Sequence, residues 1–339
     1  MAVSYLFVLG RDKKLGILEL EQYFSSDALQ VVEGRFVLVD PSQAFSIDDF
    51  GGTTKIFRAI DSLDELVFEK NKLTYSVHGP EKLTQQLKKR FKEEKIKASF
   101  RPFTPDPSSC DVELLYLHKR LFSLHAMSKP KLYKLRDENR PRFDAKQVLS
   151  IRVAKIMLNL SQARQEVLDP FCGSGTVLQE AMLKGLNVTG LDMNVRDTQR
   201  NLGWLKKTYS LNTKFTLIQG NARNLDRYVD KVECVVTEPY MGPYFTRVPL
   251  QKEALKVAKQ LTSLYKDFLQ ACEKIVQHRI VMMVPSIQGS QGLVTLDFAS
   301  LLEGTSFSLI RSQFVELPLP YSVPSAKVKR EIWVLERLK

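Results

Sequence analysis

Two carboxylates flank a glycine-rich turn in the second half of the sequence. The stretch EVLDPFCGSGTVLQEA is typical of a strand that ends at Asp169, a turn containing Gly173 and Gly175, and a helix. Asp192 follows at the tip of the next strand-like segment, VTGLDMN. Glycines let a ligand approach the backbone closely, and a helix N-terminus offers free N–H groups. An acid at the end of the second strand typically binds ribose hydroxyls. These residues predict a nucleoside site.

Three nucleotide ligands compete for this turn. A phosphate-binding P-loop requires Lys-Ser/Thr after its second glycine, whereas Thr-Val follows Gly175. A dinucleotide fingerprint requires Gly or Ala where Leu178 stands, and it would place Asp169 beside a pyrophosphate of the same charge. S-adenosylmethionine has an ammonium and a ribose but no phosphate, so Asp169 can bind the ammonium and Asp192 the ribose. The pattern favours S-adenosylmethionine over an ordinary α/β turn with solvated acids.

A third strand-like segment ends in IQGNARNL. Asn221 lies at its carboxyl end, where the adenine is expected if the ribose is at Asp192. An amide both donates to and accepts from an adenine edge. The alternative is an Asn that simply favours the turn.

The stretch VECVVTEPYMGPYF places an acid, a proline and an aromatic at the end of a fourth strand. Open parallel sheets bind ligands at this edge. Methylation of an exocyclic amine requires acceptors that hold its N–H groups, and the Glu238 carboxylate and the Pro239 carbonyl can serve. Tyr240 could stack on the base. The alternative is a proline-containing strand end with surface aromatics.

Alternating strands and helices must position these residues. From Glu166 onward, short β-branched segments alternate with helical ones, which predicts a parallel, doubly wound α/β sheet. The predicted strands are EVLDP, VTGLDMN, FTLIQGNA, VECVVTEP, RIVMMVPS, FVELPLP and REIWVLER. A helix over DAKQVLSIRVAKIMLNLS precedes them.

The front half mixes strands and helices in an α+β pattern. SYLFVLG, RFVLVD and KLTYSVHG are strand-like, and LGILELEQYF is typical of an amphipathic helix. PEKLTQQLKKRFKEEKI predicts a second helix with Leu83, Leu87 and Phe91 on one face. Residues 129–143 hold two prolines and much charge, which predicts a linker. The expected organisation is 1–128, a linker over 129–143, and 144–339.

Composition bounds the class of protein. The chain has 339 residues, enough for two or three domains, and its 44% apolar and 26% charged content is ordinary for a globular protein. The net charge of +12 favours a polyanionic partner, nucleic acid rather than a membrane surface. The four scattered cysteines indicate neither a metal site nor a disulfide framework. No signal peptide or membrane span is indicated, so a cytoplasmic protein is expected.

Basic residues cluster in two places. A helix is expected over 81–101, and the linker follows it. The predicted RNA phosphate contacts are Lys88, Lys89, Arg90, Lys92, Lys131, Lys134, Arg140 and Arg142. The alternative for each is an ordinary solvated helix face.

These motifs resemble a known family. DPFCGSGT, LDMN, QGNARNL and TEPYMGPY, in this order, resemble the motifs of class I S-adenosylmethionine-dependent amino-methyltransferases. NRPRFDAKQVLSIRVAKIMLNLS is similar to the segment before the glycine-rich loop in THUMP-containing tRNA guanine-N2-methyltransferases. LFVLGRDKKLGILELEQYF, DFGGTTKIFRAID and LTYSVHG are similar to the N-terminal region of the archaeal-type enzymes that act on tRNA guanosine 10. The resemblance spans nearly the whole chain.

The resemblance implies methylation of the 2-amino group of a guanosine in tRNA, at guanosine 10. It implies a seven-stranded Rossmann-like methyltransferase domain preceded by a ferredoxin-like and THUMP-like RNA-binding module. tRNA would be the partner, without metal or membrane, and a monomer is slightly favoured. The implied cofactor-binding residues are Phe143, Leu149, Asp169, Phe171, Gly173, Gly175, Thr176, Asp192, Met193, Asn221 and Ala222.

The chain departs from the family in its substrate motif, which is usually Asp/Asn-Pro-Pro-aromatic. Glu238 is one methylene longer than Asp, and Tyr240 replaces the second proline. Met241 stands where the stacking aromatic belongs, so Tyr240, Tyr244 or Phe245 would have to stack on the base. Two other functions therefore stay open: a DNA adenine-N6 or cytosine-N4 methyltransferase, and a catalytically impaired RNA-binding protein that keeps the cofactor pocket.

Overall fold

The computed structural model describes residues 3–107, 110–142, 149–321 and 326–338. The chain forms two compact units, residues 1–133 and 134–339. No helix in the described part is both long enough and apolar enough to cross a membrane.

The first unit is built on one eight-stranded sheet. Its strands are β1 (Tyr5–Leu9), β2 (Leu29–Glu33), β3 (Phe36–Val39), β4 (Thr53–Ile60), β5 (Lys72–His78), β6 (Lys97–Phe100), β7 (Val112–Leu117) and β8 (Arg120–Met127). They lie in the order β2-β3-β1-β4-β8-β7-β5-β6. Among the described strands of this unit, only the pairs of β5 with β6 and β7 are parallel, which agrees with the α+β pattern predicted from the sequence.

Two helices cover this sheet, α1 (Lys13–Phe24) and α2 (Glu81–Glu93). The buried Glu19 of α1 accepts hydrogen bonds from the backbone N–H groups of Gly51 and Gly52 at 2.8 and 2.7 Å, which fixes the turn before β4. A Cβ added at Gly52 would lie 2.6 Å from the Cα of Gly16, so the close approach of helix and turn requires glycine there. The predicted apolar face of α2 is confirmed, because Leu83, Leu87 and Phe91 are all buried.

Two predictions for this region are corrected. The helix expected over 81–101 ends at Glu93, because Lys95 adopts a left-handed φ of 56° and the chain then enters β6. The segment 129–143, expected to be a linker, contains helix α3 (Pro130–Asn139), and the division between the units falls inside it. Sparse apolar residues there misled the prediction, since α3 has no buried residue.

The second unit contains a mixed sheet with helices between its parallel strands. The strands are β9 (Glu166–Asp169), β10 (Asn187–Asp192), β11 (Phe215–Gln219), β12 (Val232–Thr237), β13 (Val276–Gly289), β14 (Gly292–Val294), β15 (Phe307–Leu309), β16 (Leu319–Tyr321) and β17 (Val328–Arg337). The helices are α4 (Ile151–Ser161), α5 (Thr176–Leu183), α6 (Arg196–Thr208), α7 (Gln251–Ile275) and α8 (Phe298–Leu302).

Seven of these strands form the path β11-β10-β9-β12-β13-β17-β15, and β14 and β16 pair beside it. The first five strands are parallel, whereas β17 runs antiparallel between β13 and β15. This confirms the doubly wound α/β prediction. The carboxyl ends of β9, β10 and β12 therefore meet at one edge, on either side of the point where the strand order reverses.

The end of the chain differs from its prediction. The predicted strand FVELPLP forms a strand only at its last two residues, which belong with Tyr321 to the short β16. Strand β15 was not predicted. Strand β13 is longer than the predicted RIVMMVPS. Three-residue strands carry too little periodicity to be found from sequence, because their partner β17 supplies the hydrogen bonds.

Candidate active site

The glycine-rich turn after β9 has the conformation that its glycines allow. Gly173 and Gly175 have φ angles of 50° and 88°, the left-handed region that side chains disfavour. A Cβ added at Gly175 would lie 2.9 Å from Cγ2 of Thr198. The turn therefore presents backbone without a Cβ at residues 173 and 175, on either side of Ser174 and next to the N-terminus of α5.

Asp192 joins the tip of β10 to this turn. Its carboxylate accepts hydrogen bonds from the N–H of Gly173 at 2.9 Å and of Asn194 at 3.2 Å. Thr198 of α6 holds the same turn from the other side by donating to the Gly173 carbonyl at 2.5 Å. Asp192 is only partly buried, so its carboxylate remains accessible to a ribose. Thr198 was not predicted, because nothing in its local sequence marks it.

Asp169 lies at the end of β9 and is 3% exposed. Its Oδ1 accepts hydrogen bonds from the Thr237 hydroxyl at 2.7 Å and from the Phe171 N–H at 3.2 Å. The pKa of Asp169 is raised to about 7, chiefly by burial; the charges of Asp192 and Glu238 also raise it, and the two hydrogen bonds oppose the shift. A buried acid of this kind is stabilised in its charged form by a cation. The ammonium of S-adenosylmethionine is such a cation, so the residues present fit that cofactor.

The other predicted cofactor residues fall into several environments. Phe171 packs edge-on against Phe268 with ring centroids 5.4 Å apart. Leu149 and Ala222 are buried, at 7% and 4% exposure, whereas Met193 is 68% exposed. Phe143 lies outside the described residues.

Two predicted cofactor residues have local hydrogen bonds. The buried Thr176 accepts one from Arg140, so its hydroxyl is already engaged at the start of α5. The Asn221 Oδ1 accepts from the Arg223 N–H at 3.0 Å and caps a short 3₁₀ helix over Ala222–Arg227. This is the turn-favouring role considered as the alternative for Asn221.

The substrate motif emerges directly after β12. The Glu238 side chain is 19% exposed, Pro239 is buried, and Tyr240 is 56% exposed. Arg330 of β17 places its Nε 3.3 Å from the Glu238 Oε1. Burial raises the pKa of Glu238, and the charge of Arg330 lowers it. The structure brings Glu238 beside Asp169, since Thr237 bonds to Asp169 and immediately precedes it.

Several long-range contacts hold the loop that follows. The Tyr265 hydroxyl of α7 donates to the Tyr240 carbonyl at 3.0 Å. Lys327 donates to the carbonyls of Phe245 and Thr246 at 3.2 and 2.6 Å. Tyr265, Arg330 and Lys327 were not predicted, because each is remote in sequence from the loop that it contacts.

The three candidate stacking aromatics differ in accessibility. Tyr240 and Tyr244 are exposed, at 56% and 90%, whereas Phe245 packs against the core cluster around α7. Met241 approaches the Tyr265 hydroxyl with its sulfur at 3.9 Å. Tyr240 is therefore both accessible and fixed through its own carbonyl, which favours it as the stacking residue.

Six of the eight predicted RNA contacts are exposed basic side chains. These are Lys88, Lys89, Lys92, Lys131, Lys134 and Arg142. Three of them approach acids, Lys89 with Glu93, Lys134 with Glu138 and Arg142 with Asp197, at 3.5 to 3.8 Å.

Two predicted RNA contacts are corrected. Arg90 is mostly buried and donates to the backbone carbonyls of Leu63 and Leu66. Arg140 is 4% exposed, donates to the Thr176 hydroxyl and approaches Asp137. Both arginines hold local structure, and a charge run in sequence does not reveal which cation turns inward.

Known proteins that are similar to this chain are described as methyltransferases. Residues 139–296 match the family model described as UPF0020, RMKL-like, methyltransferase domain. The tRNA (guanine(10)-N2)-dimethyltransferase of Methanothermobacter thermautotrophicus is 32% identical over 196 residues, 56% of this chain and 53% of the relative. The protein of the same name from Pyrococcus abyssi is 29% identical over 153 residues, 44% of this chain and 43% of the relative. The chain thus spans about half the length of the curated relatives it matches.

A solved structure supports the fold. The crystal structure of TrmN from Thermus thermophilus superposes with a TM-score of 0.52 at 15% identity and covers 99% of this chain and 100% of that one. Together, the comparisons support the predicted methyltransferase fold.

Proposed function

We propose, because residues 139–296 match the model of an RMKL-like methyltransferase domain, that this protein methylates the 2-amino group of a guanosine in tRNA. The curated relatives are named for guanosine 10, and we propose the same nucleotide here. The first unit would then be the predicted ferredoxin-like and THUMP-like RNA-binding module.

One observation carries the proposal: the hydrogen bond of 2.7 Å between Thr237 and Asp169. It joins the strand that carries the cation-binding acid to the strand that carries Glu238 and Pro239. The two strands are paired in parallel, with Cys234 opposite Val167. An amine held by Glu238 would therefore lie next to a cofactor whose ammonium is held by Asp169, as direct transfer requires.

The chain's own residues would orient and deprotonate the amine. S-adenosylmethionine held by Asp169 and Asp192 would supply an electrophilic methyl group on its sulfonium and would leave as the neutral thioether. Glu238 and the Pro239 carbonyl accept the amine N–H groups, which directs the nitrogen lone pair toward the methyl. The amine loses one proton, and Glu238 can accept it because burial raises the pKa of its carboxyl.

Binding of RNA is supported by charge. The net charge is +12, and Lys88, Lys89 and Lys92 are exposed on α2. Contacts of this kind make affinity fall steeply with salt.

The test uses methyl-labelled cofactor and total tRNA, followed by digestion to nucleosides. We expect label in N2-methylated guanosine. Glu238→Ala should keep the cofactor dissociation constant and lose turnover, whereas Glu316→Ala, a change at an exposed acid in the same unit, should keep both.

Other outcomes favour the alternatives. Label in N6-methyladenosine or N4-methylcytosine, with a preference for duplex DNA, would identify a DNA methyltransferase. Tight tRNA binding with no transferred label would identify an RNA-binding protein that has lost catalysis.

A further inference from the structure

Arg330 faces the amine-holding carboxylate from a strand outside the recognised motifs. It lies on β17, opposite Pro285 of β13 and Tyr321 of β16. Its Nε is 3.3 Å from the Glu238 Oε1, and the two side chains are 42% and 19% exposed.

The pair is incomplete as an ion pair. Both facing atoms, Arg330 Nε and Glu238 Oε1, are buried, yet neither has a hydrogen-bond partner among the residues that the structure describes. At 3.3 Å the charges attract, but the N–H is not directed at the oxygen. By contrast, Arg279 and Glu336 of the same sheet form two hydrogen bonds of 2.9 and 2.7 Å. Arg330 therefore attracts the Glu238 carboxylate by its charge and does not occupy a carboxylate oxygen with a hydrogen bond.

The charge on Glu238 decides which base it can hold. Guanine presents two donors side by side, N1–H and the 2-amino group, and an ionised carboxylate is an acceptor with two oxygens. A base with a lone pair at N1, such as adenine, would face that carboxylate with like polarity. A protonated carboxyl would instead donate to such a lone pair. Recognition of guanine thus requires Glu238 to be ionised.

Burial opposes ionisation of the Glu238 carboxyl, and the charge of Arg330 favours it. Burial raises the pKa of Glu238, and Arg330 is the cation whose charge lowers it. Asp169 of β9 and Tyr265 of α7 also interact electrostatically with Glu238, and neither is a cation. Within the described part of the chain, Arg330 alone favours the charged form.

We propose that Arg330 is a positioning residue that keeps Glu238 a charged, acceptor-only group and thereby makes the site select guanine over bases with an N1 lone pair. The proposal rests on the proposed function and deepens it. Arg330 acts only through the charge of the Glu238 carboxylate and does not contact the reacting atoms.

The test compares two tRNA substrates that both carry the reacting amine. Wild-type protein first identifies the methylated guanosine, and a second tRNA then carries 2-aminopurine at that position. This base keeps the 2-amino group but has a lone pair at N1. We expect wild-type protein to prefer guanine, and Arg330→Met to lower the ratio of the two kcat/KM values at least tenfold.

The pH profile gives a second readout. Without Arg330 the Glu238 carboxyl protonates more readily, so the acidic limb of kcat/KM for the guanine substrate should move to higher pH by about one unit or more. Arg330→Lys should restore both the ratio and the limb in part. Lys329→Met, which removes the neighbouring positive charge, should change neither and controls for weaker attraction to tRNA. Arg330→Gln replaces Arg330→Met if that variant does not fold.

The outcomes separate the two proposals. An unchanged base ratio and acidic limb in Arg330→Met would overturn the role of Arg330, and so would an equal loss for both bases at every pH. Wild-type protein that forms no N2-methylguanosine would overturn the proposed function itself, before any Arg330 variant is measured.

Discussion

The Lys55–Glu113 pair of the first unit and the Glu238–Arg330 pair of the second differ in how completely they are bonded. Lys55 Nζ donates to both oxygens of Glu113 at 2.9 and 2.7 Å, and the two side chains are 0% and 2% exposed. Glu238 and Arg330 approach at 3.3 Å without a hydrogen bond and are partly exposed. In the first pair both carboxylate oxygens accept hydrogen bonds from the lysine. In the second pair the facing oxygen of Glu238 can still accept a hydrogen bond from a ligand.

The comparison separates structural charges from functional ones. A buried pair whose charges are hydrogen-bonded to each other, like the one between β4 and β7, has little capacity left to bind a ligand. A buried carboxylate that lacks a hydrogen-bonded partner destabilises the free protein, and a bound ligand that pairs with the carboxylate can offset this loss of stability. Asp169 belongs to the second kind, because its buried carboxylate has hydrogen-bond donors but no cation from the described part of the chain.

The largest effect is expected from breaking the completed pair. Lys55→Met should lower the free energy of unfolding by about 3–5 kcal/mol, because it leaves the Glu113 charge buried and unpaired. Burial raises the pKa of Glu113, and the charge of Lys55 lowers it. The loss in free energy of unfolding should therefore be smaller at acid pH, where Glu113 is protonated. Urea unfolding measures both. Lys55→Met with Glu113→Leu should recover most of the loss, and a single variant as stable as wild type would contradict the comparison.

Asp169→Asn should weaken cofactor binding about 10- to 100-fold, because it removes a charged hydrogen bond of about 1.5–3 kcal/mol. In wild-type protein, cofactor affinity should fall as pH drops below about 7, where Asp169 becomes neutral. Isothermal titration at pH 6 and pH 8 measures this, and an equal dissociation constant in both proteins at pH 8 would remove Asp169 from the site.

The same variant should stabilise the free protein. The pKa of Asp169 is raised from 3.8 to about 7 on folding, so its contribution to stability is present at low pH and is lost as pH rises from about 4 to 7. Asparagine carries no such cost. We therefore expect Asp169→Asn to have the higher melting temperature at pH 8, while binding the cofactor less well.

Tyr265→Phe should slow turnover by up to about tenfold, since one buried hydrogen bond contributes about 1 kcal/mol. The hydroxyl positions the loop after Glu238 through the Tyr240 carbonyl, and burial holds its pKa well above the ordinary value, so it stays a donor. Single-turnover rates and the cofactor dissociation constant measure the effect, and only the former should change. Tyr209→Phe, at an exposed ring, is the control.

The smallest effect is expected for stability in Arg330→Met. A partly exposed ion pair contributes about 0–1 kcal/mol, so urea unfolding should place this variant close to wild type. A loss as large as that of Lys55→Met would erase the distinction between the two pairs.

Local patterns were sufficient for much of the fold and for the cofactor turn. The apolar spacing of α2, the strand-helix alternation after Glu166 and the turn around Gly173 and Gly175 are all properties of neighbouring residues. The predictions failed where a sequence pattern does not indicate whether a side chain is buried. Arg90 and Arg140 stand in basic runs like those of solvated cations, yet both are largely buried against carbonyl or hydroxyl oxygens.

The sequence by itself determined the type of chemistry: two spaced acids around a glycine turn, and an acid and a proline where a strand ends. Each of these acids is marked by the few residues next to it in the sequence, because turn geometry and strand periodicity are local. Only the tertiary structure decided the state of those acids. Thr237 joins Asp169 to the substrate strand, Tyr265 holds the following loop, and Arg330 sets the charge on Glu238. Such contacts arise when β9, β12, β17 and α7 pack together, since burial and charge depend on what surrounds a residue in space.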